Sequence, residues 1–271
     1  MKKIADTNYI QNEALVRAFL AASPRNAVVL TDYVAMELYN SGSMETLRRT
    51  VKALAPYPAQ VFVLKDIKRV CGLSGRPAGL QRRLIDDNQT ALLPNFFREV
   101  EAAANGSSRY AKGYASKAAS AADQLELVLS GTSQNASAYS DFASLFTKEE
   151  LLAIRKQSGV TKAMAKKIMA FTSELSTHLF EQHPSATRFP TRLELPNTYI
   201  FRVSLANTVL ALWWVGVGGA DRARPEKLRN DAVDCYLAAY ATFFDGVLSG
   251  DEKLKDIYGA CRYILAEAFG R

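Results

Sequence analysis

Five carboxylates stand out by where they fall: Asp6, Glu37, Asp231, Asp234 and Asp251. Asp6 follows the short apolar run Lys3-Ile4-Ala5, and Asp251 follows Gly246-Val247-Leu248-Ser249-Gly250. Both runs read as strands, so each acid sits just past a carboxyl end, where open α/β sheets bind ligands. Glu37 comes one or two turns into a helix that follows another strand. Asp231 and Asp234 are three residues apart, which puts them on one helix face. Carboxylates gathered without a cation raise one another's pKa values. A hard divalent ion removes that cost: Mg²⁺ and Mn²⁺ take oxygen ligands in octahedral geometry and usually keep waters. Such ions activate water and stabilise the charge of a phosphodiester transition state. The chemistry these residues could do is metal-assisted hydrolysis, with ligands drawn from both ends of the chain.

The elements between them have to bring those ends together. Asn8 and Asn12 offer caps for a helix over 13–22, where Leu15, Phe19 and Leu20 recur at helical spacing. Ser23-Pro24-Arg25-Asn26 is turn chemistry. The β-branched run AVVLT at 27–31 reads as a buried parallel strand. Asp32 opens the helix carrying Glu37. A helix over 44–55 is stopped by Pro56 and Pro58, and QVFVL at 60–64 reads as a third strand. This order predicts an α/β fold with a parallel sheet flanked by helices. From about 79 to 181 strand patterning disappears. Apolar residues there recur at helical spacing in 92–104, 118–129, 151–154 and 163–180. The stretch 184–196 reads as a loop. Helices follow over 199–214 and 225–244, then a short strand at 246–249 and a helix over 254–269. The expected organisation is an α/β domain from 1–78 and 197–271, interrupted by a mostly helical insertion at 79–196.

Three stretches resemble the four acidic motifs of PIN-domain nucleases. IADTNYI looks like the first, and TDYVAMELYN looks like the second, with its acid at Glu37. DCYLAAYATFFDGVLSGDEKL is similar to the third and fourth, with Asp234 before the LAA stretch and with Ser249 and Asp251 at the end. The resemblance covers roughly the first third and last fifth of the chain. It implies a PIN-like fold and a metal-dependent endonuclease, most often a ribonuclease. It assigns Asp6, Glu37, Asp234 and Asp251 to coordinating Mg²⁺ or Mn²⁺, with Asp231 as an extra acid. Thr7, Asn8 and Ser249 would support these ligands by hydrogen bonding. The helical middle matches no motif of that family, and toxin PIN domains are far shorter than this chain.

Plainer readings stand beside these. Asp6 could merely end a strand, and Glu37 could be a surface helix residue. Asp231 could answer the dipole of a helix's first turn. Asp251 could be a turn acid after Gly250. His178 and His183 are isolated, and no GxSxG, GxGxxG or Walker A sequence occurs. Gly216-Val217-Gly218-Gly219 follows a helix and suits a C-cap better than a phosphate cradle.

A net charge of +7 favours an anionic partner. Arg222, Arg224, Lys227 and Arg229 precede the acidic helix and could grip phosphates, and Lys162 and Lys166 share a helix face and could do the same. The expected partner is RNA, with single-stranded DNA, a protein regulator and self-association left open. Cys71, Cys235 and Cys261 form no metal or CxxC pattern and suit a reducing cytoplasm. The apolar run at 208–220 is too short to span a bilayer, so no membrane is expected. Two rival functions share these features: a PIN-like nucleic-acid-binding or scaffold protein without activity, and a metal phosphohydrolase acting on small esters.

Overall fold

The computed structural model describes residues 1–40, 43–156, 158–185, 188–220 and 223–270, with the side chains of 125 and 128–137 outside that description. In chain order the elements are β1 (Lys2–Ala5), α1 (Thr7–Ile10), α2 (Glu13–Ala21), β2 (Ala27–Leu30), α3 (Asp32–Asn40), α4 (Met44–Leu54), β3 (Val61–Val63), α5 (Ile67–Cys71) and α6 (Leu80–Leu84). They continue with α7 (Asp87–Ala104), α8 (Ser108–Ser144), α9 (Lys148–Arg155), α10 (Lys162–Gln182), α11 (Tyr199–Val217), α12 (Pro225–Ala241), β4 (Val247–Leu248) and α13 (Glu252–Phe269). The four strands form one all-parallel sheet in the order β3-β2-β1-β4. The α/β class with a parallel sheet and flanking helices is as the sequence predicts.

The chain divides into two compact units. One comprises Met1–Val70, Gly79–Leu127 and Phe243–Lys255; the other comprises Cys71–Ala78, Val128–Thr242 and Asp256–Arg271. These boundaries do not follow the expected 79–196 insertion. Residues 79–127 group with the strands, and 197–242 group with helices of the middle.

The first unit holds the whole sheet. Apart from Lys2 and Lys3 its strands are apolar, with Ile4, Val28, Val29 and Val61 fully buried, as suits parallel strands covered by helices. Helix α4 shows why the covering helices form: Leu47, Thr50, Val51 and Leu54 are buried at helical spacing, and the Ser43 hydroxyl accepts the Thr46 amide at its start. Asn12 caps α2 in the same way, accepting from the Leu15 amide. The Gln60 side-chain amide lies within 2.6–3.0 Å of the Leu20, Ser23 and Asn26 carbonyls, so it ties the turn after α2 to the start of β3. The outer edge of β3 is not left bare. Leu64 forms an antiparallel bridge with Ile85, the Asp86 amide donates to the Val63 carbonyl, and the Thr90 hydroxyl accepts from the Val63 amide. This pairing accounts for the grouping of 79–127 with the strands: the segment covers an edge that would otherwise invite strand pairing.

The second unit is built round α11, which packs on α9, α10 and α12. The helix is longer than the apolar run anticipated. Its 19 residues are long and apolar enough to cross a membrane by length and composition, but 72% of its apolar window is buried inside the protein, as in a core helix. Tyr199 stacks on Tyr240 at 4.2 Å, and Phe201 meets Phe269 edge-on at 5.5 Å. Buried Arg202 donates to the Pro196 carbonyl and the Thr242 hydroxyl, which satisfies part of its guanidinium. Gly218 ends α11 with φ +102°, so the glycine run is a C-cap. Gly75 is required by proximity, because a Cβ there would stand 2.2 Å from the Glu194 carbonyl oxygen. All three cysteines are buried thiols outside any disulfide.

Candidate active site

Strands β1, β2 and β3 advance in one direction across the sheet, while β4 lies on the other side of β1. Their order therefore reverses at the β1–β4 boundary. Open α/β sheets bind ligands at such a reversal, outside the carboxyl ends of the strands. Asp6 follows β1 directly, and Ser249 and Asp251 follow β4. The Asp6 amide donates to the Leu248 carbonyl at 2.9 Å, which locks the two strand ends in register.

The side chains form a linked set in the first unit. The Ser249 hydroxyl donates to Asp6 Oδ2 at 2.8 Å and accepts from the Asp251 amide at 2.9 Å. On the other side, the Thr7 hydroxyl donates to Glu37 Oε2, which joins the end of β1 to helix α3. Asp6, Thr7 and Ser249 are buried, Glu37 is half-buried and Asp251 is exposed. Burial pushes the Asp6 carboxyl above its ordinary value. The Ser249 hydroxyl and the Thr7 and Asn8 amides oppose that rise, and the charge of Asp251 adds to it.

The expected residues divide plainly. Asp6, Thr7, Glu37, Ser249 and Asp251 all lie in the first unit, linked as described. Asn8 contributes its backbone amide near Asp6, whereas its side chain is exposed and makes no hydrogen bond among the described residues. Asp251 also caps α13, with Oδ1 accepting the Leu254 amide at 3.1 Å, so the turn-acid reading accounts for part of its role. Asp231 and Asp234 lie on α12 in the second unit. Asp231 is buried there, and α12 starts at Pro225 with Glu226 as its first-turn acid, so dipole compensation in a first turn does not explain Asp231. Asp234 is half-buried on the same helix.

Among the described residues no group of three or more His, Cys, Asp or Glu side chains could hold a metal ion. In the first unit the Thr7 and Ser249 hydroxyls each serve one carboxylate of the set. The donor chemistry still suits a hard cation: Asp6, Glu37 and Asp251 offer carboxylate oxygens, and Asp6 is desolvated in a way that a nearby positive charge would relieve.

The basic residues belong to the second unit. Lys162 and Lys166 are exposed on α10, while their neighbour Lys167 pairs with Glu150 at 2.6 Å. Lys227 lies over the Trp213 and Trp214 rings at 5.3 and 4.8 Å. Arg229 donates to the Asn230 side chain, and Arg224 is exposed at the N-cap of α12. Arg222 lies outside the described residues.

Asp32 escaped notice as anything but a helix start. It follows β2 much as Asp6 follows β1, and it accepts the Tyr33 and Ile67 amides at 3.1 and 3.2 Å. Burial pushes its carboxyl up, partly opposed by those amides, and Asp66 adds to the rise. The available signal was positional: an acid directly after an apolar strand. Compared with protein-family models, curated proteins and solved structures, the chain matches none.

Proposed function

We propose that the protein is a PIN-like, Mg²⁺- or Mn²⁺-dependent endonuclease that hydrolyses phosphodiester bonds in RNA. One observation carries the reading: Asp6 and Asp251 stand together at the order reversal of a parallel sheet, joined through Ser249, with Glu37 brought to Asp6's neighbour Thr7. Asp6, Glu37 and Asp251 would hold the ion. The motif resemblance also names Asp234, with Asp231 as an extra acid; both lie on α12 of the second unit. When bound, the ion supplies a water of lowered pKa and positive charge for the phosphoryl oxygens.

The chain's own residues position that chemistry. Ser249 fixes the Asp6 carboxylate from the β4 side, and Thr7 fixes Glu37 from the β1 side. Such outer partners orient ligands and raise their basicity. In the hydrolysis itself, water adds to phosphorus and the bond to the leaving oxygen breaks; the water's proton passes to solvent or a carboxylate, and the leaving oxygen takes a proton from solvent to become a hydroxyl. The exposed lysines of α10 and the basic residues around α12 supply charge for the polymer's other phosphates.

A three-substrate assay separates this reading from its rivals. Labelled single-stranded RNA, the diester bis(p-nitrophenyl) phosphate and the monoester p-nitrophenyl phosphate are each incubated with protein and Mn²⁺, with EDTA as control. Cleavage of RNA within the chain, lost in EDTA, is expected. Hydrolysis of the monoester alone would make the protein a small-ester phosphohydrolase. RNA binding without cleavage of any substrate would make it an inactive binding or scaffold protein.

A further inference from the structure

We propose that the first unit contains a second binding site, a partly open pocket of about 610 Å³ that takes a small aromatic amine as an organic cation. The pocket is bordered by the ends of β2 and β3 at Leu30 and Val63 and walled by Leu38, Val51, Leu54, Leu93 and Phe97 of α3, α4 and α7. Asp6, Glu37 and Asp251 do not line it, and the proposal does not depend on the nuclease reading. Its size falls within the range of roughly 300–1,000 Å³ usual for small-molecule sites, which combine apolar walls with a few placed polar groups.

Charge selects the ligand. At the strand end the lining contains Asp32, Asp66, Asp86 and Arg69. The single guanidinium serves two of these acids, standing 3.3 Å from Asp66 and 3.2 Å from Asp86. Among the described residues Asp32 receives backbone amides alone, those of Tyr33 and Ile67. Three carboxylates against one guanidinium leave this end negative, so an anion such as a nucleotide phosphate is repelled. A wholly apolar ligand would strip water from the carboxylates and give nothing back. An ammonium group satisfies them and leaves the apolar walls to an attached body.

The far end favours an aromatic body. Lys117 lies 5.8 Å from the Tyr39 ring centre and 5.6 Å from that of Phe96, and Glu99 lines the same wall. These residues also line an adjoining chamber of about 190 Å³. The Tyr114 hydroxyl borders that chamber, is shielded from solvent and has no hydrogen-bond partner among the described residues. A buried hydroxyl without a partner is costly, and a ligand's polar edge reaching this chamber would satisfy it.

Three probes with one ring system and different charge test the site on the full chain by isothermal titration: tryptamine, tryptophol and indole-3-acetate. Tryptamine is expected to bind at least about tenfold more tightly than tryptophol, with no binding of indole-3-acetate. Asp32→Asn should bring tryptamine down to the affinity of tryptophol. Ala35→Trp places a bulky ring at an exposed position on the cavity wall and should abolish binding without entering the core. Equal affinity for the three probes, absence of tryptamine binding, or undiminished binding to Ala35→Trp overturns the proposal. Should Asp32→Asn fail to fold, the probe series and Ala35→Trp still decide it.

Discussion

A carboxylate as buried as Asp6 must be neutralised by something: a proton, hydrogen-bond donors or a cation. Here the Ser249 hydroxyl and two backbone amides do part of the work, and burial still leaves its pKa raised. The folded protein therefore holds a proton at pH values where the unfolded chain has released it. Stability falls as pH climbs from the ordinary value of 3.8 through the folded-state pKa, then stays level. Asp6→Asn keeps the shape and removes the charge. It should raise the melting temperature of metal-free protein at neutral pH by a few degrees, leave it unchanged below the ordinary carboxyl pKa, and abolish cleavage. A melting series across pH checks this, and an Asp6→Asn protein that melts lower at neutral pH would mean the charge is stabilising. Ser249 is a positioning residue. Ser249→Ala should slow cleavage about 10–100-fold, and Ser249→Thr should restore most of it, because only the hydroxyl matters; rates measured for both variants decide. At this scale the sequence was legible wherever an acid directly followed a strand and a motif drew attention to it, as for Asp6 and Asp251. Asp32 has the same position after β2, but a helix N-terminus already explained an acid there. The hydroxyl links through Thr7 and Ser249 depend on which side chains face each other across three elements, which spacing does not show.

At the scale of elements, the site rests on four short strands whose ends must coincide. Strands of two to four residues make few ladder bonds, so their register depends on what ties their flanks. Gln60 is such a tie, reaching three carbonyls between α2 and β2. Gln60→Ala removes this shared donor, though the Ser23 carbonyl keeps the Asn26 amide, and should cost about 1–3 kcal/mol, a lowering of about 2–4 °C for each kcal/mol in a chain of this size. Urea unfolding measures it, and a change within error would show that water replaces the amide freely. The four strands were readable as short continuous apolar runs, and most of the longer helices by their apolar periodicity. The short helices α1, α5 and α6 were not, since four or five residues carry no periodic signal. Helix α8 runs 37 residues where only 118–129 was anticipated, because its Ser-, Gly- and Ala-rich ends carry no apolar stripe to mark them. The pairing of Leu64 with Ile85 was also hidden: a single bridge between distant residues leaves no run to recognise.

At the scale of the whole molecule, an acidic site acting on a polyanion needs positive charge elsewhere, and the net charge of +7 supplies it. The exposed lysines 162 and 166 are the clearest candidates, since Lys167 and Lys227 are engaged with Glu150 and the tryptophans. Replacing both Lys162 and Lys166 with Glu should weaken RNA binding. It should also flatten the slope of log affinity against log salt by about 1.4, at about 0.7 per phosphate contact on a single strand. Fluorescence anisotropy across a salt series reads this, and an unchanged slope would place the RNA elsewhere. The two compact units were not legible as such. Their membership is set by contacts between residues far apart in sequence, as in the bridge that draws 79–127 to the strands. The central claim, that carboxylates at the sheet's order reversal hold a divalent ion for RNA hydrolysis, is tested most directly by single-turnover cleavage of a labelled RNA as Mn²⁺ is titrated. Wild-type protein should cleave with a saturable Mn²⁺ dependence, and Asp6→Asn, Glu37→Gln and Asp251→Asn should each lose at least about a hundredfold in rate, or about 2.7 kcal/mol of barrier. Cleavage that is indifferent to Mn²⁺ and EDTA, or that persists at wild-type rate in all three variants, would contradict it.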